Sequence, residues 1–181
     1  MNRSEQRVAK LQEQCDIVAS LIVAIRPAYA SASPRQRALL ETIVGAGIWY
    51  IPKPLQAWTG HLSLGALKTF HPASGIVNPK LSEEHVYPRK VAARLLIENP
   101  ALDGATLAKL FSEQFGRVHL ITPEENKAVQ QFQRANVFTS PDNAYAKAGI
   151  TFIKLSDEEL RSVKRRSLEM INAILARSGM A

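Results

Sequence analysis

Ten prolines divide this chain of 181 residues, and residues 1–26 and 142–181 contain none of them. A proline lacks the N–H that a helix interior needs, and its ring clashes with the preceding turn. Uninterrupted long helices are therefore expected at the two ends, with shorter elements between. Residues 4–25 place Val8, Leu11, Cys15, Val18, Leu21, Ile22 and Ile25 at spacings of three and four, one apolar helical face. Pro27 is expected to stop that helix, leaving Ala28 to Ser33 as a loop. Ser33-Pro34 then opens a second helix, with serine as cap and proline as first residue, running to Gly45 or Gly47.

Residues 48–80 read as irregular, with one short strand at Ile48 to Ile51. They hold Pro52, Pro54, Pro72 and Pro79, both tryptophans, and His61 and His71. Helical spacing returns over Pro88 to Glu98, and a short helix is expected from Thr106 to Phe115. Val118 to Ile121 reads as a strand. Thr122-Pro123-Glu124-Glu125 is a capping box opening another helix. Ile150 to Leu155 reads as a strand, and Ser156-Asp157-Glu158-Glu159 as a second capping box before a long last helix. The expected fold class is α+β, mostly helical with a few short strands and long helices at both termini. We read one domain over 1–181: N-terminal helices at 4–47, the irregular segment at 48–80, a site region at 81–135, and a C-terminal strand and helix at 150–178.

Hydrophobic residues make up 46% and charged residues 22%, a globular rather than a disordered profile. No apolar run approaches the ~20 residues that cross a bilayer. The start of the chain carries Glu5, Glu13 and Asp16 instead of an uninterrupted apolar core, so we expect neither export nor a membrane partner. The single cysteine, Cys15, excludes an internal disulfide and reads as a small buried apolar residue. A cytoplasmic location follows as an expectation. The formal charge of +7 favours a polyanionic partner, nucleic acid first.

Two stretches carry chemistry-bearing residues. Ser82-Glu83-Glu84-His85-Val86-Tyr87-Pro88-Arg89 places an acid, a histidine and then a proline. Farther on, Gly116-Arg117-Val118-His119-Leu120-Ile121-Thr122 leads into a helix holding Glu125-Asn126-Lys127. A carboxylate and an amide oxygen are hard ligands suited to Mg²⁺ or Mn²⁺, and an imidazole can take a proton from water near neutral pH.

Over residues 82–126 this order resembles the HNH, or ββα-metal, nucleases. There an acid–histidine pair ends one strand, a second strand follows, and a helix supplies the last ligand. The resemblance implies Glu84 and Asn126 as metal ligands, His85 as general base and Arg89 as a phosphate-holding residue. It implies a metal-dependent endonuclease acting on DNA, a partner we expect ahead of RNA. The sequence departs from the family at Arg117, where the family has the asparagine that orients the histidine, and in the long insertion between His85 and Val118.

Other candidates stand beside it. His61 and His71, with His85 or His119, can form a metal site only if the fold gathers them. Arg161, Lys164, Arg165 and Arg166 cluster on the last helix and suit phosphate contacts. A non-catalytic nucleic-acid-binding protein and a helical homodimer are the alternatives.

Overall fold

The computed structural model describes residues 3–51, 58–134 and 136–179. Among them are nine α-helices and a four-stranded sheet, with long helices toward both ends, an α+β fold. No helix among the described residues is long and apolar enough to cross a membrane. The chain divides into two compact units, residues 1–57 with 85–117 and residues 58–84 with 118–181.

In the first unit, helix α1 runs Arg3–Ser31, straight through Pro27. The sequence expectation of a stop and a loop there is wrong, for a tertiary reason. A helix-interior proline costs about 3 kcal/mol, and the turns around it are tethered from outside. Arg26 donates through Nε to the Ile97 carbonyl at 2.9 Å and also to that of Asn99. Arg37 donates to the carbonyls of Tyr29 and Ala30 at 3.1 and 2.9 Å. The Tyr29 hydroxyl donates to the buried Glu41 at 2.8 Å, and Arg94 donates to the same oxygen at 2.9 Å.

Helix α2 (Pro34–Trp49) starts as expected, with a capping box from Ser33 and Gln36. It does not stop at Gly45 or Gly47. Ile48 and Trp49 are helical, so the strand expected at 48–51 is a further correction. Val44, Ile48 and Ile51 are buried at helical spacing, and Gly45 is where α2 meets α4 (Arg89–Glu98). A Cβ on Gly45 would stand 3.1 Å from the Arg89 carbonyl oxygen.

Helix α5 (Gly104–Leu110), capped by Asp103, continues into one π-helical turn at Phe111–Phe115, closed by a 2.7 Å bond from Gly116 N–H to the Phe111 carbonyl. The core of this unit gathers Cys15, Ile22, Leu96, Leu107 and Phe111. Ile17 and Leu21 on α1, with Leu39 and Ile43 on α2, stay exposed.

The second unit is built on a sheet of order β2-β3-β1-β4, formed by β1 (Trp58–Ser63), β2 (Ser82–His85), β3 (Val118–Ile121) and β4 (Phe152–Lys154). β1 runs parallel to β3 and antiparallel to β4. The stretch expected to be irregular thus contains a strand and helix α3 (Leu64–Phe70), capped by Ser63. Residues 52–57 of that stretch lie outside the described residues.

One face of the sheet presents Leu62, Leu120 and Ile153, and with α3, α8 (Asp157–Lys164) and α9 (Leu168–Arg177) it encloses one core. The other face packs Ile121 and Phe152 against α6 (Pro123–Val129) and α7 (Pro141–Lys147), through Val129, Ala144 and Tyr145.

The long last helix is two helices. The chain breaks at Arg166, whose φ of 60° is left-handed, a conformation that an L side chain adopts at a cost. Its guanidinium donates to the carbonyls of Phe70 and Val77 at 3.3 and 3.2 Å, which holds the break in place.

Candidate functional site

Residues 82–85, 118–121 and 123–129 fold as strand, neighbouring strand and helix, the order that the nuclease resemblance implies. The intervening helices α4 and α5 belong to the first unit, so the insertion does not interrupt the pairing of β2 with β3.

Glu84 is buried, and its carboxylate accepts a hydrogen bond of 2.6 Å from the Gln133 amide. Gln133 is a residue that sequence reasoning missed. It lies beyond the capping box in a turn just past α6, and no local signal marks it. Asn126 sits in the first turns of α6. Its backbone N–H bonds the Thr122 carbonyl at 2.9 Å, and its side chain is half-buried. Tyr145, on α7, is buried and its hydroxyl has no hydrogen-bond partner. Burial raises the Tyr145 phenol, and the Glu84 and Asp142 charges push it further in the same direction. Glu84, Asn126, Gln133 and Tyr145 all belong to the second unit.

His85 and Arg89 belong to the first. The His85 ring packs against Trp49 with centroids 4.5 Å apart and an interplanar angle of 64°. Arg89 lies over the same indole, 4.0 Å from its centroid. The Phe115 carbonyl accepts a hydrogen bond from the His85 ring, and Nε2 is buried without a partner. Burial lowers the His85 pKa to about 4, and the Arg89 charge assists while the Phe115 carbonyl opposes. The imidazole is therefore neutral at neutral pH, with the tautomer held by a backbone carbonyl. Beside the ring is a cavity of about 10 Å³, lined by Ile48, Trp49, Tyr87, Phe111 and Phe115, space for roughly one water.

The loop histidines separate. His71 is structural: its Nδ1 accepts from the Ala73 N–H at 3.1 Å and caps the short turn Pro72–Ser74. His61 and His119 do come together, with ring centroids 5.1 Å apart. Both reach Thr59, whose Oγ1 is 2.6 Å from His119 Nδ1 and 3.2 Å from His61 Nδ1. Thr59 is the second residue that sequence reasoning missed. Among the described residues no group of three or more His, Cys, Asp or Glu side chains is placed to hold a metal ion.

Of the basic cluster, Arg161, Lys164 and Arg165 are exposed at the end of α8, neighbours at spacings of three and four. Arg166 is half-buried, and its guanidinium bonds the Phe70 and Val77 carbonyls.

No family model matches the chain, and no curated protein and no solved structure matches it.

Proposed function

We propose that the chain is a metal-dependent endonuclease that hydrolyses phosphodiester bonds in DNA. The observation that supports this reading is the order of elements, neighbouring strands at residues 82–85 and 118–121 followed by a helix at 123–129. The oxygen donors available in the second unit, the Glu84 carboxylate and the Asn126 amide, are hard ligands that fit Mg²⁺ or Mn²⁺. The ion, when bound, would stabilise charge on the phosphate and its leaving oxygen.

The remaining work falls to the chain. His85 is neutral, oriented by the Phe115 carbonyl, and has an unpartnered Nε2 that can take a proton from an attacking water. Arg89, fixed over Trp49, holds a cation beside that ring for the scissile phosphate. Gln133 orients the Glu84 carboxylate.

The test is cleavage of supercoiled plasmid with Mg²⁺ or Mn²⁺, wild type beside His85→Ala, with circular dichroism to confirm that the variant folds. Wild type should nick or linearise the plasmid, and His85→Ala should fall by about 100-fold or more, the usual contribution of a general base. Binding of DNA without cutting by wild type would leave the second reading, a non-catalytic nucleic-acid-binding protein. The exposed Arg161, Lys164 and Arg165 favour that reading, because none has an ion-pair partner among the described residues.

A further inference from the structure

A helix at a protein surface ordinarily turns charged side chains to water on the side away from the core. Helices α1 and α2 of the first unit depart from that. From Ile17 to Ser31, and again from Ala38 to Tyr50, no charged side chain is exposed. The two charged residues in these stretches are engaged elsewhere. Arg26 is half-buried and bonds the carbonyls of Ile97 and Asn99, and Glu41 is buried and accepts from Tyr29 and Arg94.

What these stretches expose instead is apolar and regularly spaced. Ile17, Leu21 and Ala24 follow one another at intervals of four and three on α1. Leu39, Ile43 and Ala46 repeat those intervals on α2, and Tyr50 extends the row by four more. Such intervals keep side chains on one side of a helix. Neither row faces the core. From α1, Cys15, Ala19 and Ile22 turn inward and Asp16 meets Gly104 of α5. From α2, Val44 and Ile48 turn inward and Gly45 meets α4. The rows occupy the side of each helix that is left over. The two helices are antiparallel neighbours, since only Ala32 and Ser33 link them and Arg37 of α2 donates to the Tyr29 and Ala30 carbonyls of α1.

The size of the combined face decides what it is for. Ile17, Leu21, Leu39 and Ile43 are between 55% and 61% exposed, and Tyr50 is 81% exposed. Together they leave on the order of 600–700 Å² open to water, more than the largest apolar patch of an ordinary monomer and close to the ~800 Å² that each partner gives to a standard interface. Charge decides the occupant. A nucleic acid or an anionic membrane is held by exposed Lys and Arg, and neither row has any. Two copies of a chain carrying +7 repel wherever their cations meet, and this face lets them approach without bringing cations together. Depletion of charge at the centre, with an aromatic residue present, is the composition of an interface core.

We propose that the α1–α2 face is a homodimer interface. The rows of one copy pack against the rows of a second across a two-fold axis, four helices in all, and the symmetry closes the assembly at two chains. Ile17, Leu21, Leu39 and Ile43 are desolvated at its centre, with Tyr50 beside them.

The experiment is sedimentation equilibrium of the full chain from about 1 to 100 µM, a range that brackets a micromolar dimer. Wild type should reach twice the chain mass within it. Leu21→Glu combined with Ile43→Glu places four carboxylates in one interface and should raise the dimer Kd by about 100-fold or more. Leu168→Glu, the same change at an exposed leucine of the second unit, should leave Kd within about threefold of wild type. Circular dichroism checks that each variant folds, and if the double Glu variant does not, Leu21→Ser with Ile43→Ser carries the same test. The proposal is overturned by a single-chain mass across the whole range, by a Kd that the Glu pair leaves unchanged, or by an equal loss in Leu168→Glu. A single-chain mass together with binding to vesicles of anionic phospholipid would overturn it in favour of a lipid surface. The measurement uses neither metal nor DNA, so it stands or falls apart from the nuclease reading.

Discussion

Cys15 shows what burial does to a single reactive group. It has no exposed surface, sits in the core of the first unit, and its thiol is pushed up to about 11 by burial, with Asp16 adding to the effect. The sequence already supports this, because Cys15 falls on the apolar face of the first helix. Two consequences follow. A thiol reagent at pH 8 should label the folded protein far more slowly than the urea-unfolded chain, and comparable rates would contradict the packing. The pH dependence has a defined sign. The unfolded thiol ionises near 9.0 and the folded one near 11, so the folded state binds more protons between them. The stability that Cys15 contributes is complete below pH 9 and is lost as pH rises toward 11. Urea midpoints of wild type should therefore drop over that window more steeply than those of Cys15→Ala.

At the scale of elements, the helix starts were the most legible features. Ser33, Thr122 and Ser156 all cap as their Ser/Thr-x-x-Gln/Glu spacing requires, since that chemistry is complete within four residues. The errors fall where distant partners decide. Pro27 remains helical because Arg26 and Arg37 tether the turns around it, and no local pattern announces that. β1 was hidden because its sequence, Trp58 to Ser63, bulges at Thr59 to His61 and so loses the alternation that marks a strand. The same bulge explains why His61 and His119 could be named from the sequence while Thr59 could not.

Two glycines separate local from tertiary effects. A Cβ on Gly104, at the start of α5, would fall 1.7 Å from Asp16 Oδ1, close to the Asp16 backbone as well. Gly104→Ala should cost about 2 kcal/mol or more, by overpacking where α1 meets α5. Gly47, inside α2, has nothing within 4 Å of such a Cβ, so Gly47→Ala should stabilise by about 0.5–1 kcal/mol through helix propensity alone. Denaturant unfolding of the two variants should move in opposite directions, and a shared direction would refute the assigned packing.

For the whole molecule the governing quantity is charge. A formal charge of +7 attracts a polyanion without saying where it lies. Arg161, Lys164 and Arg165 offer a location, since they are exposed and adjacent on one turn of α8, while Arg166 beside them is committed to the Phe70 and Val77 carbonyls. If each of the three neutralises one phosphate, replacing all three by Gln should reduce the slope of log K against log salt for duplex binding by about 2.7, at roughly 0.9 per phosphate. The comparison is Lys10, Lys109 and Lys127, also exposed, replaced together by Gln. That variant removes the same charge from positions outside α8. It should weaken binding at low salt while leaving most of the slope intact. Equal losses of slope in both variants would mean that the duplex responds only to net charge, and α8 would have no claim as the interface.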